Sequence, residues 1–437
     1  MKMIGRLLLP LLPAASLMAQ QSQPIRLQEA IDSALQANRE LLLSRADEKI
    51  AKAQWQETEA VYLPQVDLSF SALSSNNPLN VFGFKLQQQR VEQADFNPSL
   101  LNSPGSVGDF VTKIQLQQPI INVDKWYMRK AAATQRELYS FRSQRTAEYL
   151  SYEVTKAFLQ LQLSYDAEAV LKEALQTARS VQQFTQDRVD QGLLQKSDIL
   201  NVQVWITTIE SNLAEAGSNI RNASDYLSWL MGRSAGNVYL PVDQPLHEPV
   251  LTNNQVPANR ADFAAMRKAL EASDLMIKSN KFSMLPRLNG FASYQLNDNR
   301  LLGFGSNAYL AGIQMSWDIF KGNGARRKLA TQTEERNKLA LQLQNHQEQS
   351  QLELNKTARQ LADAEFRIQQ QISAVAQATE ALRILQDRYE QGLVNSTDIL
   401  LAQSQLSQQK LGLAQARFNR HATAAYYQFL TTQTNQE

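Results

Sequence analysis

The chain has 437 residues, 43% of them hydrophobic and 20% charged, a balance too apolar for a disordered protein. It has no cysteine, which excludes disulfides, thiolate metal sites, a catalytic thiol and lipid attachment through a cysteine. Forty-four Lys and Arg stand against 42 Asp and Glu, so bulk charge makes no case for nucleic acid as a partner.

At the N-terminus, Lys2 and Arg6 flank an apolar stretch from Leu7 to Leu17, and Leu17-Met18-Ala19 forms a cleavage site. Residues 1–19 therefore read as a secretory signal peptide. No later run of 18 apolar residues exists, so the sequence offers no transmembrane helix. Closed β-structure remains a route across an outer membrane, because a barrel satisfies every backbone group internally.

The first strand signal is Leu63 to Ala72, where Val66, Leu68, Phe70 and Ala72 alternate with Gln65, Asp67, Ser69 and Ser71. An Asn/Pro/Gly-rich loop is predicted from about Ser74 to Gly108, then a second strand ending near Pro119-Ile120-Ile121, with Trp126 and Tyr127 just beyond. From Ile120 to Gln191 there is neither glycine nor proline, enough for a helix on the order of 100 Å long. Leu150, Val154, Ala157, Leu161, Ala167, Leu171, Ala174, Ala178 and Val181 give it an apolar seam suited to coiled-coil packing, interrupted only by Ser164.

The helix ends at Gln186-Asp187-Arg188-Val189-Asp190-Gln191-Gly192-Leu193, followed by Leu194-Gln195-Lys196-Ser197-Asp198-Ile199-Leu200. Gly192 is placed to end it in a left-handed conformation, Ser197 to cap the next helix, and Asp198 to favour that helix's positive end. A short turn makes the returning helix, to about Met231, antiparallel to the first. A proline-rich stretch, 232–257, then links to a second copy of the same plan and is placed to wrap the rods as a collar.

In that second copy Leu285-Pro286-Arg287-Leu288 and Ile313-Gln314-Met315-Ser316 match the two strands, with Tyr309, Trp317 and Phe320 flanking the fourth. Aromatic residues at strand ends suit the edges of a bilayer. The loop from Asp298 to Ser306 is short, and Ala325 to Gln391 is again free of glycine and proline. Its seam runs Leu361, Ala364, Ile368, Ile372, Val375, Ala378, Leu382 and Leu385. It ends at Gln386-Asp387-Arg388-Tyr389-Glu390-Gln391-Gly392-Leu393, then Val394-Asn395-Ser396-Thr397-Asp398-Ile399-Leu400, 200 positions after the first tip. Chance does not produce this; the chain is internally duplicated, as residues 20–231 and 258–437.

Four strands cannot close a barrel alone, so either the chain oligomerises or the strands lie outside the membrane. The order of signal, helix, strand pair and long helical hairpin, given twice and with paired Arg-x-x-x-Gly-Leu…Asp-Ile-Leu tips at Arg188–Leu200 and Arg388–Leu400, resembles the TolC-like outer-membrane efflux protein family over essentially the whole mature chain. The resemblance implies a mainly α fold with a membrane β-barrel: a homotrimer whose four strands per protomer complete a twelve-stranded barrel in outer-membrane lipid. The antiparallel hairpins would build a shared α-helical tunnel in the periplasm.

By the same resemblance, the chain is the outer-membrane channel of a tripartite efflux pump or type I secretion system, a passive conduit docked on a periplasmic adaptor and, through it, on an inner-membrane pump. The docking tips would be Gly192, Leu193, Leu194, Ser197, Gly392, Leu393, Val394 and Thr397. Asp198, Asp398 and Tyr389 match family positions at the periplasmic gate, where three-fold symmetry makes rings of carboxylates that attract cations. Val394 stands where the family has a salt-bridging arginine and Leu401 where it has a second aspartate, which leaves fewer polar links to hold the gate shut.

No residue constellation suggests an enzyme, a cofactor or a metal site. His247, His346 and His421 are scattered, and Gly303-Phe304-Gly305 and Gly322-Asn323-Gly324 lack the Gly-Lys-Ser/Thr of a phosphate loop. The competing reading is a soluble periplasmic coiled-coil adaptor or scaffold, which shares the signal and rods but would carry one hairpin set in globular β-domains.

Overall fold

The computed structural model describes residues 22–242 and 255–433. The signal peptide and much of the linker lie outside them. In chain order the elements are β1 (Gln23–Ile25), α1 (Leu27–Ala37), α2 (Arg39–Glu57), β2 (Gln65–Ser75), α3 (Pro78–Gln87), α4 (Pro98–Asn102), β3 (Val107–Ile121), α5 (Val123–Asp190), α6 (Lys196–Leu230), β4 (Tyr239–Pro241), α7 (Ala261–Phe282), β5 (Arg287–Asp298), β6 (Ser306–Ser316), α8 (Gly324–Glu390) and α9 (Ser396–Thr431). The fold is mainly helical with one four-stranded sheet. Both rods and both returning helices fall within a few residues of the spans their sequences predict. The loop expected from 74 to 108 instead contains α3 and α4. Asn77 and Asn97 cap them, and a proline opens each, so the residues that suggest a loop are the ones that start short helices.

The chain divides into two compact units. One takes residues 1–43, 144–260 and 348–437 and contains both hairpin tips, α6, α9 and the greater part of α5 and α8. The apolar seam is its core: Leu150, Val154, Ala157, Leu161, Ala174, Ala178 and Val181 of α5 are buried, as are Ala364, Ile368, Ala378 and Leu382 of α8. Ser164 lies in the seam without penalty because its hydroxyl donates to Gln160 O one turn back, at 3.0 Å. Ile372, by contrast, is exposed.

Two three-residue strands that the sequence pattern does not reveal, β1 and β4, pair in parallel at Gln23↔Tyr239 to Ile25↔Pro241. Ile25 and Tyr239 join a cluster with Leu150, Val154, Leu161 and Leu227. Asn38 ties two helix ends together. Its amide donates to Leu230 O at the end of α6 (2.8 Å), and its carbonyl accepts from Glu40 N and Leu41 N at the start of α2. Just past α6, Gly232 has φ +69°, and a Cβ there would lie 2.3 Å from Ala37 O, so only glycine fits.

The second unit takes residues 44–143 and 261–347 and contains the sheet, in antiparallel order β2-β3-β5-β6. Its registered rows separate by polarity. On one face Leu68, Ile114, Tyr294 and Tyr309 form a row, next to Val66, Leu116, Ala292 and Ala311. On the other lie Asp67, Gln115, Ser293 and Leu310, then Ser69, Lys113, Gln295 and Ala308. One face is therefore apolar from edge to edge and the other polar across three of its four strands. Leu68, Ile114, Tyr294 and Tyr309 are all exposed. Among the described residues the sheet is open, with β2 and β6 each unpaired on its outer edge. No helix among the described residues is long and apolar enough to cross a membrane.

The two ends of the sheet are finished differently. At the loop end the buried Asp109 carboxylate accepts from Gln88 Nε2 (2.9 Å) and Asn297 Nδ2 (3.0 Å), and Gln88 also donates to Gly108 O, which fixes the end of α3 against β3. At the helix end Asp124 pairs with Arg287 at 2.7 Å, and Trp317 Nε1 donates to Met284 O.

Candidate functional site

The duplicated tips were singled out by sequence, and the structure gives them one backbone. Gly192 and Gly392 sit at φ +74° and +76°. In the first tip Gly192 N donates to Val189 O and Leu193 N to Arg188 O, both at 2.9 Å. In the second, Gly392 N donates to Tyr389 O and Leu393 N to Arg388 O, also at 2.9 Å. This six-to-one plus five-to-two pattern is the Schellman motif, with the left-handed residue at the glycine.

The caps of the returning helices differ from the sequence expectation. Gln195 and Asn395, not Ser197 and Thr397, are the N-cap residues. Asp198 Oδ2 accepts from Gln195 N at 3.0 Å and Asp398 Oδ2 from Asn395 N at 3.2 Å; Asn395 Oδ1 accepts from Asp398 N in return. The two aspartates thus complete capping boxes, each with a carboxylate at a helix N-terminus, and both stay partly exposed. Ser197 and Thr397 lie two positions further along, with exposed side chains.

Leu193 and Leu393 are exposed at the turns, and Leu194 and Val394 half-buried. Val394 packs on a cluster that joins all four helices, including Val181 of α5, Val202 and Ile206 of α6, Leu382 of α8 and Ile399 of α9. Leu401 is exposed.

Tyr389 is 6% exposed, and its hydroxyl lies 2.8 Å from Thr185 Oγ1 of α5. The Thr185 hydroxyl already donates to Val181 O at 2.7 Å, and a carbonyl cannot donate back, so the phenol is the donor to Thr185. Burial raises the phenol's pKa above its usual 10, opposed by Arg188 and reinforced by Asp198. It is therefore a neutral donor at ordinary pH. The ring packs on Phe184 at 4.8 Å, and the Arg188 guanidinium lies over the Phe184 ring, 4.3 Å from its centroid, donating to Glu390 O at 3.1 Å. A Cβ on Gly392 would come within 3.1 Å of Arg188 Nη1, whereas one on Gly192 would meet nothing.

The sequence reading missed Phe184, Thr185 and Arg188 as partners of Tyr389. The signal was present in the duplication itself: where the first copy has Thr185 and Val189, the second has Leu385 and Tyr389, so a polar and an apolar position are exchanged one helical turn apart.

Residues 30–233 and 253–428, most of the chain, match the family described as outer membrane efflux protein. The chain belongs to the outer membrane efflux protein family. Its fold is that of solved channels in this group. The outer membrane protein VceC of Vibrio cholerae superposes with a TM-score of 0.76 at 18% identity, covering 93% of this chain and 96% of that one. The CmeC outer membrane channel of Campylobacter jejuni gives 0.77 at 15% identity over 93% and 85%. The MtrE outer membrane channel of Neisseria gonorrhoeae, in its open state, gives 0.73 at 15% over 93% and 89%. No curated protein matches the sequence. At these identities the structural likeness speaks for the fold; the family match speaks for the class of protein.

Proposed function

We propose that this outer membrane efflux protein is the exit duct of a tripartite efflux pump or type I secretion system, a passive conduit through which cargo crosses the outer membrane. The observation that carries the reading is the sheet. It has one apolar, exposed face, one largely polar face and two unpaired edges, a combination costly in water but suited to a barrel wall completed by neighbouring copies. Three copies supply twelve strands, enough for closure, with the apolar rows toward lipid and Asp67, Ser69, Gln115 and Ser293 toward the lumen.

In this reading the hairpin tips face the periplasm. The exposed Leu193 and Leu393 meet the adaptor, and Asp198, Asp398 and Tyr389 form the gate. The soluble-scaffold alternative leaves the apolar face without a covering.

Fractionation of the untagged protein in a Gram-negative host tests the placement. Outer-membrane sedimentation that resists carbonate and high salt supports the duct, and folded protein in the soluble periplasm overturns it. For the gate, Asp398→Ala is expected to reduce cation selectivity in single-channel recordings, because it removes one charge per protomer from the constriction. Unchanged conductance and selectivity would leave the aspartate as a helix cap alone.

A further inference from the structure

The connections at the two ends of the sheet differ sharply in charge. Those on the helix side, residues 57–62, 120–130, 278–287 and 317–328, carry ten lysines and arginines against four carboxylates. Those at the loop end, 75–107 and 298–306, carry three of each. The excess is densest after β6. There Trp317, Ile319 and Phe320 point outward, with Ile319 80% and Phe320 76% exposed. Lys321 follows, paired with Asp318, and then Arg326, Arg327 and Lys328.

Those last three are exposed, and none has a carboxylate within ion-pair distance among the described residues. They do not serve the helix they sit on. α8 has no acid in its first turn, and cations at a helix N-terminus oppose the macrodipole. A patch with bare aromatic and aliphatic side chains at the edge of an apolar sheet face, followed at once by uncompensated cations, matches one environment well. That environment is the headgroup zone of a bilayer containing anionic lipid, where aromatic rings settle at the interface and guanidinium groups bind phosphate oxygens.

We propose that the helix-side rim of the sheet selects anionic phospholipid in the adjoining leaflet, with the lipid phosphate held by Arg326, Arg327 and Lys328 beside Trp317 and Phe320. The proposal rests on the membrane-channel reading and adds to it the lipid chemistry that the rim recognises. It also gives the sheet a direction in the membrane, because only one of its ends carries the charge.

The test is native mass spectrometry of the detergent-purified full-length protein, titrated with phosphatidylglycerol or with phosphatidylcholine of the same acyl chains. Wild type is expected to retain phosphatidylglycerol preferentially. One basic residue near an anionic surface changes affinity about fivefold, so R326Q/R327Q/K328Q is expected to lose that preference by on the order of a hundredfold. Its uptake of phosphatidylcholine should be unchanged, and R326K/R327K, which keeps the charge, should hold most of the preference even if the triple variant proves unstable.

Equal retention of the two lipids by wild type, or a loss below about threefold in the triple variant, overturns the proposal. So does displacement of the lipid by millimolar inorganic phosphate, which marks a site for free anions. If wild type takes up neither lipid and stays soluble without detergent, the membrane-channel reading itself fails, a result distinct from a channel that binds lipid without preference.

Discussion

At the α5–α6 turn, Gly192 faces open space and Val189 is only half-buried; at the α8–α9 turn, Gly392 lies against Arg188 and Tyr389 is buried against Phe184 and Thr185. The backbone of the two turns is the same to within two degrees of φ at the glycine. Duplication has therefore kept the part of the tip that makes a tight reversal, where the left-handed glycine and the capping-box carboxylate leave few alternatives. The positions that face the other hairpin have diverged. The second tip supplies a phenol and a bare glycine, and the first supplies the threonine, the ring and the guanidinium that receive them. Two like hairpins have become complementary ones: at the tips they meet through the phenol–threonine bond, the ring contact and the Arg188 guanidinium on Glu390 O, and further along through the Lys410–Glu173 ion pair.

The largest consequence concerns the buried ring. Tyr389→Ala is expected to destabilise the tips by about 3 kcal/mol, as other large-to-small changes of a buried aromatic do. The half-buried Val189→Ala should cost about 1 kcal/mol. Hydrogen exchange of the amides around 185–200 and 385–400 would measure both, and equal effects would show the two tips to be equivalent after all. Next come the glycines. Gly192→Ala should cost about 1 kcal/mol for the left-handed backbone alone, and Gly392→Ala more, because Arg188 must also move. The difference should vanish in an Arg188→Ala background, tested by thermal melts of the four proteins.

The smallest effect belongs to the hydroxyl. Tyr389→Phe removes one donor but leaves Thr185 satisfied by Val181 O, so about 1 kcal/mol is expected. The phenol's pKa is raised in the folded state, so its contribution is whole below pH 10 and fades as pH rises through the folded value. The wild type and Tyr389→Phe stability curves should accordingly converge above pH 10. Tyr152 and Tyr426, whose phenols are pushed up to about 12 chiefly by burial, lose stability in the same direction in both proteins.

Much of the fold could be read from the chain because its signals are long or repeated. A tract of some seventy residues without glycine or proline has few alternatives to a rod, and a tip copied 200 positions later confirms its own turn. The alternation of Val66, Leu68 and Phe70 likewise survives into an apolar sheet face. What escaped detection was short or distant. β1 and β4 are three residues each, too short for any period, and they pair across more than two hundred residues. α3 and α4 are built from Asn-Pro starts that composition scores as loop. The Tyr389–Thr185 bond joins residues 204 apart, and nothing local to either marks the other.

The cluster around Ile25 and Tyr239 draws every buried member from residues 25–239. The central strand pair of the sheet, by contrast, registers Phe110 with Asp298 and so needs both halves of the chain. A protein delivered N-terminus first can therefore complete the first cluster while its second half is still in transit, and domains commonly form in that order. A fragment ending at residue 242 should accordingly be helical, with protected amides in α1 and at the end of α6; an unprotected fragment would show that the first half waits for the second. The parallel β1–β4 clasp thus asks for no residue beyond Pro241, whereas the sheet is complete only with Ser306–Ser316.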